Sequence, residues 1–257
     1  MKYTICGKGG SGKSTVTSLM AKELAASGKR VLVIDCDESN CGLHQQLGME
    51  LPRSFTDYFG GKAAVMGMLS GGPQNMPALF DHPWTIDDIP AEYRTEKDGI
   101  CLMTPGKIET ANEACACPFN VVMVQFIPML KLAENDVVIM DMEAGLEHLG
   151  RGTAANMDQF VVVIEPGARS VQTYHNVKRL AKDLGITRVR VVANKIRDDG
   201  DEEFIRSAIP AEDLLGFIHY NPDIIDADRQ GKSPYDFSPA AIEEIRKIKA
   251  ILDRDES

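Results

Sequence analysis

The chain has 257 residues, enough to bury a sizeable core in a single α/β unit. Hydrophobic residues make up 44% and charged residues 26%, an ordinary globular composition. The net charge of −10 supplies no basic stripe to displace counterions from nucleic acid, and no apolar run reaches the roughly 18 residues of a membrane helix, so neither partner is expected.

Short apolar runs predict strands at 2–6, 31–35, 100–104, 137–141, 160–164, 189–194 and 215–218. Most are apolar on both faces, as strands of a helix-covered parallel sheet are. Helical patterns lie between them at 13–27, 120–133, 171–184 and 239–253, and Gly28 and Gly185 sit where helix ends are expected. The alternation predicts a three-layer, doubly wound, mostly parallel α/β sheet flanked by helices, one domain over 1–257. Residues 45–98 break the rhythm with Gly60-Gly61, Gly71-Gly72-Pro73, Trp84 and several methionines, and read as an insertion of short helices and loops. Met66, Met68 and Met76 within it read as adaptable packing, with soft thioether contacts the alternative. The glycine loop starts at Gly7 and leaves no room for a signal peptide, so the protein reads as cytoplasmic. In that compartment the six cysteines should mostly be thiols or metal ligands.

Gly7-Lys8-Gly9-Gly10-Ser11-Gly12-Lys13-Ser14-Thr15 fits the phosphate-loop pattern between a predicted strand and a predicted helix. Glycines let backbone N–H groups approach phosphate oxygens, and the helix directs its positive end at them. Lys13 is placed to reach the β- and γ-phosphates and the Ser14 hydroxyl to ligate Mg²⁺. Lys8, just after the first glycine, resembles the deviant Walker A lysine of the MinD/ParA/nitrogenase-iron-protein class. That resemblance implies ATP held between two subunits, with Lys8 reaching the partner's nucleotide. It further implies that Asp37, after the strand ending in Asp35-Cys36, lies in switch I and orients or deprotonates water. Asp141 becomes the Walker B-like carboxylate that holds Mg²⁺ with Ser14 and Asp37, and Ala144-Gly145 opens switch II. Asn194-Lys195 resembles the base-binding pair of related GTPases, but Arg197 stands where those enzymes carry the guanine-reading Asp, so ATP is expected over GTP.

Cys115-Ala116-Cys117 supplies two thiolates, half of a tetrahedral site, and a two-fold axis would supply the other half. Thiolates suit zinc, or nickel in square-planar geometry. Two unconnected cysteines are the alternative from spacing alone, and Cys6, Cys36, Cys41 and Cys101 read as buried thiols. The phosphate loop, the C-x-C before a helix, and the stretches 140–153, 163–166 and 180–186 together resemble the CooC/AcsF-type nickel-insertion ATPases over nearly the whole chain. The resemblance implies a MinD-type fold, an ATP- and metal-dependent homodimer, and Ni²⁺ or Zn²⁺ at Cys115 and Cys117. The implied client is a nickel enzyme, carbon monoxide dehydrogenase first and acetyl-CoA synthase as the alternative. The chain departs from the family at Pro118-Phe119 and at His219, where a proline often stands in an Ile-Pro-Tyr-Asn segment near the adenine; Tyr220 and Asn221 are the base-contact candidates there. His148 and His219 read as solvated or core histidines rather than ligands. A MinD/ParA-like positioning ATPase would need a membrane helix or DNA surface, whereas 240–253 reads as a salt-bridged helix packed on the sheet. An iron protein with a [4Fe–4S] cluster would use a cysteine near switch II, and none follows Asp141.

Overall fold

An eight-stranded sheet with the order β3-β4-β2-β5-β1-β6-β7-β8 runs through the computed structural model of the chain, which describes residues 1–39, 42–69, 76–108, 117–143, 154 and 156–255. The strands are β1 Lys2–Gly7, β2 Arg30–Cys36, β3 Thr95–Lys97, β4 Ile100–Met103, β5 Asp136–Met142, β6 Gln159–Ile164, β7 Val189–Ile196 and β8 Leu214–His219. Every described pairing is parallel except β3 with β4. The seven predicted strands are all present, with ends shifted by one or two residues.

The described helices are α1 Lys13–Ala26, α2 Leu43–Leu47, α3 Gly61–Met68, α4 Cys117–Met129, α5 Ala168–Asp183, α6 Asp199–Ala208, α7 Pro222–Arg229, α8 Pro234–Phe237 and α9 Pro239–Asp255. Strand side chains alternate between two buried layers, because successive Cβ atoms leave opposite faces of the pleat. Val31 and Val33 join the layer of Leu19, Met20 and Leu24 from α1 and Ile245, Ile248 and Leu252 from α9. Leu32 and Ile34 join the other layer, with Val122, Met123 and Phe126 from α4 and Tyr174 and Val177 from α5. This two-sided burial is why the strands read as continuous apolar runs.

Among the described residues of 45–98, three short 3₁₀ turns, α3 and the edge strand β3 pack beside α4. Phe55 is fully buried at the centre of their packing, with the rings of Tyr58, Phe59, Phe80, Trp84, Tyr93 and Phe126 between 5.3 and 6.3 Å away. β3 was not expected. It hairpins onto β4 through Asp98-Gly99, both at positive φ (50° and 80°), the conformation of a two-residue primed turn.

Candidate nucleotide site

Parallel pairing fixes the site. β1, β2 and β5 end at the same edge of the sheet, where ligands of open α/β folds bind. The register sets Asp35 opposite Asp141 and Ile5 opposite Asp141, so two acidic strand ends flank the loop that leaves β1. Gly12 closes that loop in the left-handed region at φ 91°, and a Cβ there would run into the Asn194 amide. Only glycine meets both demands.

A cavity of about 510 Å³, within the usual size range for ligand pockets, opens over this loop. Gly9, Gly10, Gly12, Lys13, Ser14, Thr15, Asp37 and Lys195 line it. Lys13 is buried at its base, at the N-terminus of α1. The Ser14 hydroxyl donates to Asp141 Oδ2 at 2.7 Å, and Thr17 donates to the other oxygen at 3.1 Å. A glycine-walled cradle at a helix N-terminus, a buried lysine and a hydroxyl–carboxylate pair are the groups that Mg²⁺-nucleotide demands, so the donor set fits it.

Burial pushes the Asp141 carboxyl up to about 7, with the Asp35 charge adding to the rise and Ser14, Lys13 and Thr17 opposing it. Asp35 is raised to about 6 by burial, against the pull of Lys107 at 2.7 Å. Asp37 lines the cavity beyond the phosphate loop, its Oδ1 accepting from the Ser39 N–H at 3.2 Å and the Ser39 hydroxyl at 2.8 Å.

Other expected residues take different positions. Lys8 is exposed and outside the cavity lining; its carbonyl accepts from the Ser11 N–H at 3.2 Å. Ser11 is buried within the loop. Asn194 is buried beneath the loop and donates to the Ser11 carbonyl at 2.8 Å. Lys195, at φ 60°, bonds the Gly10 carbonyl at 2.5 Å and pairs with Glu165 at 2.7 Å. The pair thus braces the phosphate loop. Tyr220 is exposed, and Asn221 caps α7 by accepting from Asp223 N–H at 2.9 Å while donating to Ser238 at 2.6 Å. Neither lines the cavity. Its remaining wall is Ser39, Gln46, Ile224, Ile225, Asp228, Lys232 and Pro234, which the sequence reading did not single out. The Asn221-Pro222 and Ser233-Pro234 cap signals would have located the two helices that bring Ile224, Ile225, Asp228 and Pro234 there, with Lys232 in the turn between them. His219 bonds Glu244 at 2.7 Å, with Glu202 at 3.4 Å from its other ring nitrogen.

Cys6, Cys36 and Cys101 are buried free thiols whose titration burial drives upward, to about 12 for Cys6 and Cys101. Cys117 opens α4, three residues before the predicted start, and is disulfide-bonded. This differs from the expected thiol. Cys115, Cys41, His148 and the expected start of switch II at Ala144-Gly145 also lie outside the described residues. Among the described residues no group of three or more His, Cys, Asp or Glu side chains is placed to hold a metal ion, and no helix is long and apolar enough to cross a membrane.

Comparison with known proteins agrees with this geometry. Residues 3–235 match the CobQ/CobB/MinD/ParA nucleotide binding domain. An ATP-binding protein of Methanocaldococcus jannaschii is 38% identical over 253 residues, covering 98% of this chain and 99% of the relative. The carbon monoxide dehydrogenase accessory protein CooC of Rhodospirillum rubrum is 35% identical over 253 residues, covering 98% and 96%. The septum site-determining protein MinD of Pyrococcus horikoshii, solved with Mg-ADP, superposes over 100% of this chain and 97% of its own at TM-score 0.68 and 18% identity, a likeness of fold. The chain therefore belongs to the CobQ/CobB/MinD/ParA family of P-loop nucleotide-binding proteins, and within it resembles CooC along nearly its whole length.

Proposed function

We propose that the chain is a slow, switch-type ATPase that works as a homodimeric metallochaperone. It takes up nickel, or zinc, on Cys115 and Cys117 of two subunits and delivers nickel to carbon monoxide dehydrogenase. The observation that carries this reading is the end-to-end likeness to CooC in a chain whose C-x-C motif runs into the first turn of α4.

In this reading the amides of Gly9, Gly10, Ser11 and Gly12 and the Lys13 ammonium cradle the phosphates, with Thr15 completing the loop wall. Magnesium, when bound with ATP, neutralises charge on the β- and γ-phosphates, and Ser14, Asp37 and Asp141 are the groups that would hold it. Asp37 orients the attacking water and accepts its proton as the γ-phosphoryl bond breaks, leaving ADP and phosphate. Lys8, outside its own cavity, reaches the nucleotide of the partner subunit. Asn194 and Lys195 brace the loop, and Ile224, Ile225 and Pro234 supply the apolar wall for the base side. Tyr220 and Asn221 serve the base only through the position of α7, because Asn221 is engaged in capping it. Nickel release then requires that the metal prefer one nucleotide state of the dimer over the other.

The test is reconstitution under reductant, which keeps Cys117 available as a thiol. Nickel-free carbon monoxide dehydrogenase is mixed with Ni²⁺, MgATP and the protein, and CO oxidation is followed. Wild type is expected to restore activity, while C117S and a reaction without ATP are not. Equal activation by C117S, or without ATP, would sink the proposal. Activation of acetyl-CoA synthase alone would reassign the client.

A further inference from the structure

The segment following β4 runs along switch I. The Thr104 hydroxyl donates to the Asp35 carbonyl at 3.0 Å, and the Ile108 N–H donates to the Glu38 carbonyl at 3.1 Å. Between them, the Pro105 carbonyl accepts from Ser54 Oγ at 2.7 Å and Thr56 Oγ1 at 2.6 Å, and Gly106 lies against the Phe119 ring of α4. The segment is thus fixed on the insertion side and the α4 side as well as along the switch.

Lys107 is the charged member of this strap. Its side chain is 5% exposed, its Nζ donates to Asp35 Oδ2 at 2.7 Å and to the Asp37 carbonyl at 2.6 Å, and Asp35 is 1% exposed. Asp35 in turn accepts from the Asp37 N–H at 3.2 Å. Both main-chain polar groups of Asp37 are therefore engaged by one buried ion pair. An ammonium withdrawn from water is costly, and an apolar side chain of the same length would fill the space. What the charge adds is direction: hydrogen-bond donors aimed at a carboxylate and a carbonyl two residues apart.

We infer that Lys107 is a positioning residue for hydrolysis, clamping the Asp35 carboxylate and the Asp37 carbonyl so that the Asp37 side chain is held at the switch end of the phosphate cavity. The inference rests on the proposed role of Asp37 and extends it to a residue 70 positions away in sequence. Because Lys107 touches the switch backbone and not the phosphate loop, its loss acts on turnover rather than on nucleotide binding.

The decisive variant is K107M/D35N. Lys107→Met alone strands a buried carboxylate and destabilises the fold. The double change replaces the pair with neutral groups of similar shape and keeps an amide oxygen to accept the Asp37 N–H. Thermal melting, the Kd of a non-hydrolysable ATP analogue with Mg²⁺, and steady-state kcat are measured for it, for wild type and for D37N. A melt near that of wild type, Kd within about threefold and kcat lowered about tenfold or more are expected, since small misplacements of a reacting group cost rate steeply. A well-folded double variant with wild-type kcat overturns the inference and leaves a structural role only. Should the double variant fail to fold, K107R keeps the buried charge paired with altered reach; lowered kcat at unchanged Kd is expected, and wild-type kcat overturns the inference. D37N separates the two claims. Wild-type turnover in D37N overturns both, whereas an inactive D37N beside a fully active double variant overturns the role of Lys107 alone.

Discussion

Asp141 is the residue on which the pocket's electrostatics turn. It is fully buried, faces Asp35 across neighbouring strands, and accepts from two hydroxyls. Its ordinary value of 3.8 is raised to about 7 in the folded, nucleotide-free chain, by burial first and Asp35 second. The sign follows from linkage: the native state holds a proton that the unfolded state has released, so the contribution of Asp141 to stability is present below about pH 4 and is lost as pH rises through about 7. D141N removes that titration while keeping an oxygen for Ser14. Without nucleotide or magnesium, the melting temperature of D141N relative to wild type is therefore expected to rise by roughly 3 °C or more between about pH 5 and pH 8. A difference independent of pH would show that Asp141 does not titrate abnormally. Lys13, Ser14, Asp37 and Asp141 were legible in the sequence because each sits at a fixed offset within a local motif, and all four gather at one strand edge. Lys107 was not legible, because its partners are set by β2 lying beside β4, a relation between segments 70 residues apart.

Among the elements, the strands were the most readable and the short helices the least. Two-sided burial makes a strand an unbroken apolar run, whereas α7 and α8 bury little and announce themselves only by capping. Asn221 and Ser233 each cap a helix whose first residue is proline, and Asp198 caps α6. β3 is too short for periodicity, and Asp98-Gly99 was its one signal. The 3₁₀ turns and α3 of the 45–98 region are organised by Phe55, whose N–H also donates to the Thr104 carbonyl at 2.9 Å. Phe55→Ala removes the ring at the centre of the aromatic packing and is expected to cost about 3–5 kcal/mol in urea unfolding. Nucleotide affinity is expected to stay within about threefold, because no ring of this cluster lines the phosphate cavity. A loss below about 1 kcal/mol would mean that the region contributes little to the core.

For the whole molecule, the family fold and the likeness to CooC account for a nucleotide-binding protein, and the proposed metal chemistry depends on how two copies meet. One chain offers at most two thiolates from the C-x-C motif, and a tetrahedral or square-planar site needs four ligands. Cys6, Cys36 and Cys101 are buried protonated thiols and do not serve as the missing pair. In the proposed dimer, a two-fold axis through the C-x-C motifs would complete the set and tie metal binding to the nucleotide state. The most direct test is the molar mass and metal content of the reduced protein by light scattering and elemental analysis, with MgATP and Ni²⁺ or Zn²⁺ present together. The account predicts particles of twice the chain mass carrying one metal ion per two chains, and loss of that metal in C117S. A particle of one chain's mass under those conditions, or undiminished metal in C117S, would contradict it.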